Sequence, residues 1–184
     1  TKLTLIPGEL NLSQLRDIYF NGVSLTIDAT TWERIDKAQS LVREKVDGGD
    51  IVYGVNTGFG LLAQKQIEKE RLQQLQHNLI LSHATGVGDY LDAATVRLIL
   101  LLKINGLSRG ASGIRREVIE LLIAMLNADI LPAIPQKGSV GASGDLAPLA
   151  HMSLPVIGEG KMHVDGKLID SRDAFQSVGL APML

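Results

Sequence analysis

Chemistry is concentrated in one stretch, GSVGASGDLAPLAH, from Gly138 to His151. Gly138, Ser139, Gly141, Ala142, Ser143 and Gly144 are all small, and the glycines among them can take backbone angles closed to other residues. Asp145 and the apolar run Leu146–Met152 follow. This predicts a tight loop entering a helix, with Asp145 in the first turn, where free N–H groups and the dipole favour negative charge. A phosphate cradle would need Lys-Ser/Thr after the glycines, and none is present. A G-x-S-x-G elbow fails because Gly144 comes one position early. An ordinary glycine-rich turn needs nothing further. The fourth possibility is cyclisation. In a tight bend, the Gly144 amide nitrogen, with no Cβ in the way, reaches the carbonyl carbon of Ala142. Loss of water closes a five-membered ring, and loss of the Ser143 hydroxyl as a second water leaves an exocyclic methylidene. No standard side chain is as strong an electrophile, so such chemistry is normally left to a cofactor.

A second Ala-Ser-Gly, Ala111-Ser112-Gly113 in SRGASGIRREV, is an internal control. It lacks the Gly-Asp-Leu-Ala-Pro context, and Ser112 reads there as a helix N-cap. It is the full signature around 142–144 that resembles the aromatic amino acid ammonia-lyase family, whose members build a methylidene-imidazolone (MIO) from Ala-Ser-Gly. The resemblance implies that Ala142, Ser143 and Gly144 are the MIO precursor and that Asp145 helps ring formation. It also implies that the methylidene carbon from Ser143 takes the substrate nucleophile, either amine or ring.

Tyr53 stands in a glycine-interrupted apolar loop, IVYGVNTGFGLL, over 51–62. By pattern alone it is a half-buried tyrosine bonded to backbone, since a base needs a phenolate and an unperturbed tyrosine has a pKa of about 10. YGVNTGFG resembles the family's loop for the catalytic tyrosine, which makes Tyr53 the implied base for the substrate's β-proton. His83, by pattern, is a histidine at a helix C-terminus favoured by the dipole. Ser82-His83 occupies the family's substrate-sorting position and resembles its histidine-specific branch. There a histidine can hydrogen-bond an imidazole that an apolar pair would leave unpaired. Asn56 is expected to hold its loop in place. His77 reads as solvent-facing, His163 as a hairpin residue and His151 as structural. None has metal-ligand spacing, so no metal is expected. Arg115-Arg116 reads as a solvated helix face rather than an anion site.

Composition narrows the classes. The chain has 184 residues, 45% hydrophobic and 21% charged, enough for one domain with a core. A net charge of −2 without a basic block gives no sign of nucleic acid. Cysteine is absent, which excludes disulfides and fits a reducing, cytoplasmic setting. TKLTLIPGEL carries no signal-peptide h-region. Val96–Leu102, the most apolar run, is short of the ~20 residues that span a bilayer. Ser177–Leu184 ends on an apolar stretch, so the chain reads as a truncated N-terminal portion.

Periodicity supplies the elements that would hold these residues. Short strands are expected near 3–10 and 24–28. Helices are expected over 12–20, from a capping box at Thr30–Glu33 to Val46, over 64–83, from Asp92 to Asn105 and from Ser112 to Asn127. Gly86-Val87-Gly88 reads as a turn. Lys161–Ile169 reads as a hairpin about Asp165-Gly166, and Arg172 begins another helix. The fold class is mainly α: one helical domain, 1–184, with a few short strands and the loop 138–151. The resemblance implies the N-terminal part of the ammonia-lyase fold and a homotetramer in the complete enzyme. It also implies deamination of L-histidine to trans-urocanate and ammonia, with little or no activity in this portion alone. A tyrosine or phenylalanine lyase or aminomutase, or a non-catalytic helical interaction domain, are the alternatives.

Overall fold

The computed structural model describes residues 1–57, 69–141 and 144–183. Along them run β1 (Lys2–Leu5), α1 (Leu12–Asn21), β2 (Ser24–Ile27), α2 (Ala29–Asp47), α3 (Lys69–His83), β3 (Val87–Tyr90), α4 (Ala93–Leu107) and α5 (Arg116–Asn127). β4 (Leu131–Pro132), β5 (Pro135–Lys137), α6 (Leu146–Ser153), β6 (Lys161–Val164), β7 (Lys167–Asp170) and α7 (Ser171–Ser177) follow. The class is mainly helical, as expected. β1 and β2 pair in parallel, β3 pairs antiparallel with β5, and β4-β6-β7 form a small antiparallel sheet.

The core is built on α4 and α5. Val96, Leu100, Leu101 and Ile104 meet Ile119, Leu122, Met125 and Leu126, and none is more than 2% exposed. α4 starts where the Asp92 carboxylate accepts from the Thr95 N–H at 2.9 Å and hydroxyl at 2.7 Å, a cap worth about 1 kcal/mol. Arg97 is buried inside this apolar helix. Its Nε and Nη2 donate to the two oxygens of Asp129 at 2.9 and 3.0 Å, and Nη1 donates to the Tyr19 carbonyl at 3.1 Å. That two-pronged pairing offsets the cost of burying the cation and ties α4 to α1 and to the turn after α5. Asn127 extends β2 with its amide. It accepts from the Leu25 N–H at 2.6 Å and donates to the Leu25 carbonyl at 3.0 Å.

Several local expectations are corrected. α2 is capped by Asp28, which accepts from the Thr31 N–H at 2.7 Å, so the start lies upstream of Thr30. Among the described residues a capping box is formed by Asn11 with Gln14, at the head of α1. Leu12 faces outward and Ile18 takes the inner position. α5 starts at Arg116 rather than at Ser112, because Gly113 holds a φ of +68° that a right-handed helix excludes. Arg116 is not a solvated cation: its Nε donates to Asp36 Oδ1 at 3.0 Å, its Nη2 reaches Asp36 Oδ2, and it lies 4.6 Å from the Trp32 ring centroid. Val87 and Gly88 lie in β3, not in a turn, since Val87 pairs with Lys137. His77 is half-buried. The hairpin β6–β7 is where it was expected, with Asp165 and Gly166 at φ +47° and +73°, the positive pair that a two-residue turn needs. The charged run 65–71 and positions 58–62 lie outside the described residues or side chains.

Candidate functional site

The signature loop leaves β5 at Lys137 and enters α6 at Leu146. Ala142 and Ser143 lie outside the described residues, and the residues on either side define the bend. Gly141 and Gly144 take φ +63° and +90°, and Asp145 takes +27°. For a non-glycine residue, that angle costs on the order of 1–3 kcal/mol and persists only where surroundings enforce it. Asp145 is the N-cap position of α6, but its side chain makes no cap bond to the helix. It turns back across the loop instead, and Oδ1 accepts from the Val140 N–H at 3.3 Å. The reading of Asp145 as first-turn helix carboxylate is thus corrected: it bridges the mouth of the loop. These angles and that bridge fit the cyclisation, which needs a sharp reversal and a glycine at 144. Among described atoms, a Cβ on Gly144 would meet nothing within 4 Å.

His83 is the last residue of α3 and faces α6. A cleft of about 180 Å³ lies between the two helices, lined by Gln76, Leu79, Ile80 and His83 of α3 and by Leu146, Leu149, Ala150 and Ser153 of α6. The His83 Nδ1 lies 2.7 Å from the Leu79 carbonyl, which can only accept, so Nδ1 donates in this contact. The Ser82 hydroxyl lies 3.2 Å from the same Nδ1 and donates to the Leu79 carbonyl at 3.1 Å. His83 and the helix that follows the signature loop therefore share one largely apolar cleft.

Tyr53 sits in a turn after α2 and is 62% exposed. Its loop is held by buried neighbours. The Asn56 side chain accepts from the Val52 N–H at 2.8 Å and donates to the Asp50 carbonyl at 2.9 Å. The Thr57 hydroxyl accepts from the Gly54 N–H at 3.1 Å. Asn56 thus has the loop-holding role expected of it. The Gln76 side chain donates to the Val55 carbonyl at 3.0 Å, so α3 connects the turn of Tyr53 to the cleft beside α6.

One residue here has more weight than sequence reasoning gave it. His151 Nε2 accepts from the Gly86 N–H at 2.9 Å, joining α6 to the segment after His83. Burial lowers its pKa below the ordinary histidine value, in keeping with a neutral acceptor. A faint signal existed: Ala147 and His151, four apart, share one helix face. A Cβ on Gly138 would lie 3.5 Å from the Ala147 Cβ, and one on Gly86 would lie 3.0 Å from His151 Nε2. Among the described residues no group of three or more His, Asp or Glu could hold a metal ion. No helix among them is long and apolar enough to cross a membrane.

A family model described as aromatic amino acid lyase matches residues 10–184. Histidine ammonia-lyase from Salmonella arizonae is 55% identical over 181 residues, covering 98% of this chain and 36% of that protein. Two solved structures superpose over 100% of this chain. Ergothionase from Treponema denticola, an ergothioneine degrading enzyme, does so with TM-score 0.94 and 32% identity over 37% of its length. Histidine ammonia-lyase from Trypanosoma cruzi does so with TM-score 0.90 and 32% identity over 36% of its length. The chain thus spans 36% of the length of the curated relative it matches.

Proposed function

The chain belongs to the aromatic amino acid lyase family, and we propose that it is an N-terminal domain, 1–184, of an enzyme that deaminates L-histidine to trans-urocanate and ammonia. The observation that carries the substrate is His83, set in the cleft beside the signature helix in a chain 55% identical to a histidine ammonia-lyase. Ala142, Ser143 and Gly144 are the precursor of the MIO group. In forming it, the Gly144 nitrogen bonds to the Ala142 carbonyl carbon. The Ala142 oxygen leaves as water with the amide protons of Gly144 and Ser143. The Ser143 Oγ then leaves as water with its own proton and the Cα proton. No oxidant or reductant is needed. The group supplies an electrophilic methylidene carbon. Tyr53 accepts the β-proton while the Cα–N bond breaks and the Cα=Cβ bond forms. His83, through Nε2, meets an N–H of the substrate imidazole, and Ser82 holds the His83 ring in place. A homotetramer and a cytoplasmic setting belong to the same reading.

The test is ammonia release by the full-length polypeptide supplied with L-histidine, L-tyrosine or L-phenylalanine. Histidine is expected to turn over and the other two to be poor. Faster turnover of either rival would overturn the substrate assignment. The 184-residue portion alone is expected to give no ordinary enzymatic rate.

A further inference from the structure

The loop that must cyclise is short, yet its ends belong to elements that meet nowhere else in sequence: β5 on one side and α6 on the other. Ordering the ends of such a loop costs conformational entropy that some contact must offset. Both ends are tied to a single backbone position, Gly86. At the α6 end, the Gly86 N–H donates to His151 Nε2 at 2.9 Å. At the β5 end, the pairing Val87↔Lys137 brings Gly138 so close that a Cβ on it would lie 3.1 Å from the Gly86 Cα. Gly86 itself is closely packed: a Cβ there would lie 3.0 Å from His151 Nε2 and 3.1 Å from the Pro135 Cβ, so these neighbours would have to give way. Of these contacts, only the one from His151 is a hydrogen bond from a side chain.

Resting on the function proposed above, we infer that His151 is a positioning residue for MIO formation. Its bond to Gly86 sets the distance between the end of the loop that carries Gly144 and the end that enters from β5. It thereby holds together the two ends of the loop on whose closure ring formation depends. The same bond fixes the segment just after His83, where the Thr85 N–H donates to the His83 carbonyl at 2.8 Å. One pin therefore serves both the electrophile and the substrate-sorting residue.

The experiment compares His151→Gln and His151→Asn in the full-length polypeptide. The Gln carbonyl reaches the place of Nε2, and the Asn carbonyl stops near the place of Nδ1. After a short expression pulse, intact mass at intervals follows the loss of two waters, and circular dichroism with a melting curve checks the fold. The Asn variant is expected to fold normally but dehydrate roughly tenfold more slowly, as befits a half-buried donor left without its partner. The Gln variant is expected to stay within about twofold of wild type. Equal rates for Asn and wild type, or a Gln variant as slow as Asn, would overturn the inference. So would an Asn variant that does not fold, because the bond would then serve the fold as a whole. A wild-type chain that keeps both waters would overturn the lyase reading itself. Wild type that dehydrates, alongside an Asn variant that does so equally well, would sink only the role of His151.

Discussion

The two Ala-Ser-Gly tripeptides offer a controlled comparison, because their glycines are needed for different reasons. Gly113 holds a φ of +68°, and a Cβ there would come 2.3 Å from Val42 Cγ2, 3.0 Å from Val42 Cβ and 3.4 Å from the Ala38 carbonyl. Val42 lies on α2, where a valine is nearly confined to one rotamer, so it cannot swing aside. Gly113→Ala should therefore combine about 1–2 kcal/mol of left-handed backbone strain with about 1–3 kcal/mol of overpacking, a loss of roughly 2–5 kcal/mol. Gly144 holds a φ of +90° with nothing described within 4 Å of its missing Cβ, so Gly144→Ala should cost only the backbone part, about 1–2 kcal/mol. The chemical outcomes should be reversed. Gly113→Ala should still lose two waters, since its tripeptide does not react. Gly144→Ala should keep its full mass and release no ammonia, because the new methyl shields the attacking nitrogen. Denaturant unfolding gives the first pair of numbers and intact mass the second, both on the full-length polypeptide. A Gly113→Ala protein as stable as wild type would refute the packing argument. A Gly144→Ala protein that dehydrates at the wild-type rate would refute the claim that cyclisation needs an unhindered nitrogen there.

Three further outcomes are expected. Tyr53→Phe removes one oxygen from an exposed ring, so melting temperature and dehydration should hold while ammonia release falls by roughly 10²–10⁴-fold, measured by steady-state kinetics. His83→Leu should lower kcat/KM for histidine on the order of 10²-fold, and its activity ratio of phenylalanine to histidine should rise. Burial lowers the pKa of both His151 and His163, so between the ordinary histidine value of about 6.5 and their folded values the unfolded chain binds more protons. Stability should then be full above that ordinary value, fall as the pH drops through the window and level off beneath it. Melting temperature across this range checks the sign, and His151→Gln should flatten the slope.

What could be read from the letters was local. α4 was legible because Asp92 both precedes an apolar run and caps it, and the β6–β7 hairpin because Asp165-Gly166 permits almost nothing else. Errors arose where a competing local cap or a distant contact decided. The start of α2 moved to Asp28 because that carboxylate reached the Thr31 N–H first. The start of α5 moved because Gly113 takes a φ of +68°, with Val42 of another helix standing where a Cβ would go. β3 was taken for a turn because its partner β5 lies far along the chain, and its four residues are all exposed, so no alternation marks them. Tyr53, His83 and the 142–144 tripeptide stood out through motif resemblance. His151 did not, because an acceptor nitrogen aimed at a glycine amide leaves no mark in sequence beyond its spacing from Ala147.

The distribution of contacts also explains why the signature is so much longer than the tripeptide. Cyclisation needs three residues, yet the chain reverses only because neighbours enforce it. Gly141 and Gly144 take the positive angles, Asp145 bridges to Val140, Gly138 lets β5 pass Gly86, and His151 pins α6 to the same point. Each sits at a fixed offset from Ser143, so the length of the motif is the length of the clamp. Ala111-Ser112-Gly113 also has positive-φ glycines at the same offsets, Gly110 and Gly113, but Leu107, Ile114 and Glu120 stand where Gly138, Asp145 and His151 would be, so the bridge, the close passage and the pin are missing. Its glycine is spent on packing against Val42, which is why the same three letters carry structure in one place and chemistry in the other.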